Sequence, residues 1–98
     1  MNFDAFKQSL SAETPPELGR ALQALWFEAK GDWEAAHSAA QNDEGRDGSW
    51  VHAYLHRKEG DDANAGYWYR RAGRPFPSAS LDEEWQAIAA ALLETSGR

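Results

Sequence analysis

An all-α fold is predicted, on three observations. Strand-favouring residues are scarce (one Val, one Ile, two Thr) while Ala recurs throughout, and no run alternates apolar with polar. Apolar residues instead recur at spacings of three and four. Two helical runs are each broken by a Gly-Asp corner, Gly31-Asp32 and Gly60-Asp61, where glycine can close one helix and aspartate can cap the next. Ninety-eight residues suit one domain, 1–98, with a modest core.

Asn2 can cap a short first helix with Phe3, Phe6 and Leu10 on one side; alone it would be marginal. Thr14-Pro15-Pro16-Glu17 reads as a capping box with Pro at the first helical position. It predicts a helix over about 15–30, with Leu18, Leu22, Leu25 and Ala29 on one stripe, widened by Trp26 and Phe27 and ended by Gly31. Asp32 caps a helix over 33–41 whose apolar side is Trp33, Ala36 and Ala40, flanked by His37 and Ala39. Asn42 to Gly48 reads as a polar loop, after which Asp47 or Ser49 caps a helix over 50–59.

Gly60 ends that helix, and another is expected over 62–72 with Gly73 as its stop. Arg74-Pro75 prevents continuation, since the residue before proline disfavours helical angles. Residues 74–80 form a proline-stiffened linker with Phe76 turned inward. Ser80 to Glu83 is a second capping box, opening a last helix over 81–95 with Leu81, Trp85, Ile88 and Leu92 in a stripe. Residues 96–98 are expected to fray.

There is no cysteine, which excludes disulfides and thiolate metal sites and suits a cytoplasmic setting. No apolar run approaches the roughly 20 residues of a bilayer span, so no membrane is expected as a partner. MNFDAFKQSL has no basic region followed by an apolar one, so no secretory signal is expected. The net charge of −6 is uneven: residues 46–74 carry six Lys/Arg against four Asp/Glu, and the rest carries four against twelve. An acidic whole argues against nucleic acid, while the basic, aromatic centre suits an anionic partner.

The chain also repeats itself at an offset of 29. Lys30-Gly31-Asp32 falls on Glu59-Gly60-Asp61, Ala24 on Ala53, Ala36 on Ala65 and Ala40 on Tyr69. Fixed-period self-similarity is the signature of stacked hairpins. Over residues 17–77 the pattern resembles tetratricopeptide (TPR) repeats. Ala53, His56, Gly60-Asp61, Ala65, Tyr69, Ala72 and Pro77 carry it in the second half, and Ala24, Phe27, Gly31-Asp32, Ala36 and Ala40 in the first. The resemblance implies two stacked antiparallel hairpins, covered by a short N-terminal helix and a C-terminal capping helix.

It also implies a concave groove lined by the first helix of each hairpin, here Trp50, Tyr54, Arg57 and Lys58. Spacing alone independently puts Trp50, Tyr54 and Arg57 or Lys58 on one helical face. An aromatic wall with basic ends suits an acidic peptide or protein carboxylate. The alternative is that the C-terminal helix covers this face, Trp85 packing on Trp50 or Tyr54 and the cations pairing with Asp82, Glu83 or Glu84.

Tyr67-Trp68-Tyr69 cannot all face one core, because helix neighbours lie about 100° apart. Tyr67 and Arg71 form an outer stripe suited to a foreign partner or a homodimer contact. His52 and His56 are four apart and share a helix face, and His37 on the preceding helix can meet them. That is metal-ligand spacing, but packing beneath aromatics is the more ordinary role, and there is no HExxH. No resident cofactor or metal is therefore expected. Ser49 lies near His52, yet no base–orienter arrangement can be read, so no enzyme is expected. The function expected is a protein–protein interaction module. The second reading is a small metal- or ligand-binding protein using the histidines.

Overall fold

Six helices, and no strand among the described residues, make up the chain. The computed structural model describes residues 1–96, so most of the expected frayed tail, 97–98, lies outside them. Helix α1 (Phe3–Ser9) is capped by Asn2, whose side-chain oxygen accepts from the Ala5 amide at 2.8 Å. Seven residues cannot hold a helix in water. What holds this one is Phe3 and Phe6, both packed on the Trp85 ring at 6.2 and 5.8 Å between centroids. The Lys30 ammonium donates to the carbonyls of Leu10 and Ala12 just beyond its end.

Helix α2 runs over Arg20–Ala29, not from residue 15. The expected box at Thr14 does not form; Gly19 is the N-cap and no side chain caps it. Pro16 disfavours helical angles at Pro15, which undoes the helix start that Pro15 alone would favour. Residues 14–19 form a non-helical lead-in, with Leu18 packed partly buried on the core.

The corner after α2 and the corner at Gly60 are built alike. Gly31 and Gly60 adopt φ of 85° and 87°, where a Cβ is disfavoured. The next amides reach back across the turn, Asp32 to the Phe27 carbonyl and Asp61 to His56, both at 2.9 Å. Asp32 and Asp61 then cap helices α3 (Trp33–Gln41) and α5 (Asp62–Ala72), as the sequence predicts.

Helix α4 (Arg46–Lys58) starts earlier than expected, with Gly45 rather than Asp47 or Ser49 at its cap. Gly48 explains the difference: a Cβ there would overlap the Asp43 carbonyl, so glycine lets residues 43–45 lie against the first turn. What reads as loop becomes buried helix, with Gly48 and Ser49 in the interior. After Gly73, residues 74–80 lead to helix α6 (Leu81–Ser96). The Ser80 box forms as expected: the Glu83 amide donates to Ser80 Oγ at 3.1 Å, and the Ser80 amide to Glu83 at 3.3 Å. Phe76 departs from expectation; it is 46% exposed and only its ring edge meets Tyr69.

Helix α4 is the centre. It packs against α5, α3, α2 and α6, while α2 runs along α3 and α1 rests on α6. Its run from Trp50 to Leu55 is buried at every position, as a helix surrounded by others must be. Ala24, Ala36, Ala53 and Ala65 are wholly buried and let the axes approach. No helix among the described residues is long and apolar enough to cross a membrane.

Candidate functional site

The face of α4 expected as an open groove packs against α6, with a cavity of about 410 Å³ left beside Tyr54 and Lys58. Trp50 is 8% exposed and Tyr54 2%. Trp85 does not cover them by ring stacking: it faces Phe3 and Phe6 and donates its indole N–H to the Leu25 carbonyl at 3.2 Å. The cover is electrostatic as well as apolar. Buried Glu84 accepts from Arg57 at 2.8 Å and from the Tyr69 hydroxyl at 2.5 Å, and Arg57 also donates to the Ala79 carbonyl. Lys58 is paired with buried Glu28. Arg74, outside the expected set, lays its guanidinium 3.3 Å over the Trp50 ring. Arg57 is thus paired with a carboxylate of α6, as in the alternative in which that helix covers this face, while Lys58 pairs with Glu28 of α2 and stays 43% exposed. Burial first, then neighbouring carboxylates, raises the Tyr54 phenol, and burial with the Glu84 hydrogen bond raises Tyr69, so both stay protonated.

Tyr67 is 45% exposed, as its place on the outer stripe of α5 requires. Arg71 donates to its hydroxyl at 3.3 Å and lies over the Trp68 ring at 5.1 Å.

On the opposite side of α4 the three histidines meet. His52 and His56 stack one turn apart, their ring centroids 4.9 Å apart and 17° between planes. His37 of α3 approaches both edge-on, and its Nε2 lies 3.0 Å from His52 Nε2. One ring nitrogen from each of the three lies within 4.8 Å of the others. Trp68 of α5 closes the stack, its ring 4.0 Å from His52 and nearly parallel, and Trp33 abuts His37.

His52 is 4% exposed, whereas His37 and His56 are half-buried. Burial, with His37 and then His56 beside it, pushes the His52 pKa from 6.5 down to about 4. The imidazole is therefore neutral at pH 7 and keeps a lone pair. Glu59 accepts from His56 Nδ1 at 2.7 Å, which orients that ring.

Beside His52 opens a cavity of about 460 Å³, lined by Gln41, Glu44, Ser49, His52, Trp68 and Arg71 among others. Ser49 is a buried residue in this lining. Sequence reasoning found the trio from the i, i+4 pair and the register of α3. It missed Glu59, which the three-residue step from His56 could have flagged, and it missed Trp68, whose contact with His52 depends on how α5 lies on α4.

No family model, curated protein or solved structure matches this chain.

Proposed function

We propose that this is a small helical binding protein whose working site is the histidine face of α4. The single observation behind this reading is the convergence of His37, His52 and His56, of which His52 also lines the neighbouring cavity. Three imidazoles face one another there, and the Glu59 carboxylate is bonded to one of them, His56. The scaffold is read as two TPR-like hairpins, α2–α3 and α4–α5, stacked through α3 and α4, with α1 and α6 as caps. The matching Gly-Asp corners and the packing of α3 on α4 support it. The trio then lies in the seam between hairpins, where α3, α4 and α5 can each contribute.

The protein-interaction reading keeps one structural support, the exposed Tyr67–Arg71 pair. Against it stands the burial of Trp50 and Tyr54, the aromatic wall of the expected groove. A thermal-shift screen of inorganic ions and small polar molecules separates the two. The histidine reading expects stabilisers of the wild type that lose their effect in His37→Ala and keep it in Tyr67→Ala. A screen without stabilisers, or one whose stabilisers act equally on wild type and His37→Ala, overturns it.

A further inference from the structure

We infer that His37, His52 and His56 bind one divalent first-row transition-metal ion, with Glu59 as the carboxylate that positions His56. This rests on the histidine face being the working site and names its ligand.

The donor set selects the class of ion. Three imidazoles suit zinc, copper, nickel or iron, whereas calcium and magnesium need oxygen ligands. The chain has no cysteine to make a thiolate site instead. Distances agree with the choice. Nitrogens around a tetrahedral zinc at about 2.0–2.1 Å sit about 3.3 Å apart. His37 Nε2 and His52 Nε2 are already 3.0 Å apart, and the third nitrogen lies within 4.8 Å of both. Closing that gap requires the His56 ring to turn out of its stack on His52.

A hydrogen-bonded imidazole pair explains two of the rings. It does not explain why a third comes to the same point with its Nδ1 proton held by a carboxylate. Metal-binding histidines commonly donate their far N–H to a carboxylate or carbonyl, which orients the ring and makes it a stronger base. Glu59 does this for His56. The half-buried rings of His37 and His56 leave an entry path, and Trp68 fixes the plane of His52. Three protein ligands leave a further position for water or an outside ligand.

A competing group, His56, Glu59 and Asp61, lies on the outer side of the same turn. Its members are committed elsewhere. Glu59 accepts a hydrogen bond from His56, and Asp61 caps α5 and accepts from both nitrogens of Asn64, bonds that hold its carboxyl below the ordinary range. The inner trio is the better site because its lone pairs are not all spent.

The test uses the full chain without an affinity tag, stripped by chelator and titrated with cobalt(II), then with zinc(II) in competition. One equivalent of cobalt should bind with a visible ligand-field spectrum and be displaced by zinc. His37→Ala, on a half-buried ring, should abolish the spectrum with helical circular dichroism unchanged. Glu59→Gln should weaken affinity by about 10- to 100-fold while keeping the spectrum. Binding that survives His37→Ala but fails in Asp61→Asn would move the ion to the outer group and overturn the inference. So would no stoichiometric cobalt in the wild type. If metals fail while other small molecules still act through His37, only the ligand is wrong. If nothing acts through His37, the site itself falls.

Discussion

The two sides of α4 carry similar materials to different ends. Toward α6 lie Trp50, Tyr54 and Arg57; toward α3 and α5 lie His52 and His56. On the first side charged groups meet a partner of opposite charge or a hydroxyl: Arg57 with Glu84, Glu84 with Tyr69, Lys58 with Glu28. On the second, bases face bases. The difference teaches that buried aromatics and charges do not by themselves mark a site. A closed network of opposite charges ties one helix to the next, whereas buried groups of one kind left facing each other need a reason other than stability.

The largest effect should come from opening the closed side. Glu84→Ala leaves Arg57 half-buried without its carboxylate and removes the Tyr69 bond. Breaking such a pair from one side should destabilise the fold by about 3–5 kcal/mol, read from urea unfolding. Arg57→Glu, which sets two carboxylates against each other, should be at least as damaging. Either variant unfolding near the wild-type midpoint would mean that α6 is not held through this network.

The histidine side should respond to pH instead. The His52 pKa is about 4 in the folded chain against 6.5 for the free side chain. The unfolded chain therefore takes up the proton first as pH falls. The contribution is complete above 6.5, declines between 6.5 and about 4, and changes no further below. The slope should be at most about 1.4 kcal/mol per pH unit. Urea midpoints of the metal-free protein at several pH values in that window measure it. His52→Asn should flatten this component, and an unchanged slope would place the acid sensitivity elsewhere.

Much of this contrast was legible beforehand, for local reasons. The Gly-Asp corners specify their own geometry, so α3 and α5 begin where Asp32 and Asp61 say they do. Asn2 and Ser80 act within three residues and were equally readable. Local rules misled where a neighbour decided. The Thr14 box fails because Pro16 governs Pro15, and the start of α4 depends on Gly48 receiving the Asp43 carbonyl. The burial of Trp50 and Tyr54 has a longer-range cause. Trp50 and Tyr54 do share a face, but only the path of α6 decides whether that face meets water, and Arg57 and Glu84 stand 27 residues apart. The trio could be guessed because two of its members lie one turn apart on one helix; its Trp68 lid could not.

Smaller effects sharpen the contrast further. Asp61→Ala removes the cap of α5, beneath which Trp68 is carried, and should cost about 1 kcal/mol. Tyr67→Ala touches neither side of α4 and should stay within about 0.5 kcal/mol of wild type in the same assay.

Imidazole and indole NMR during a zinc(II) titration compares the two sides in one experiment. The resonances of His37, His52 and His56 and the Trp68 indole should shift together and saturate at one equivalent, while the Trp50 and Trp85 indoles stay in place. Shifts centred on Trp50, or histidine resonances that never move, would contradict the assignment of the working face.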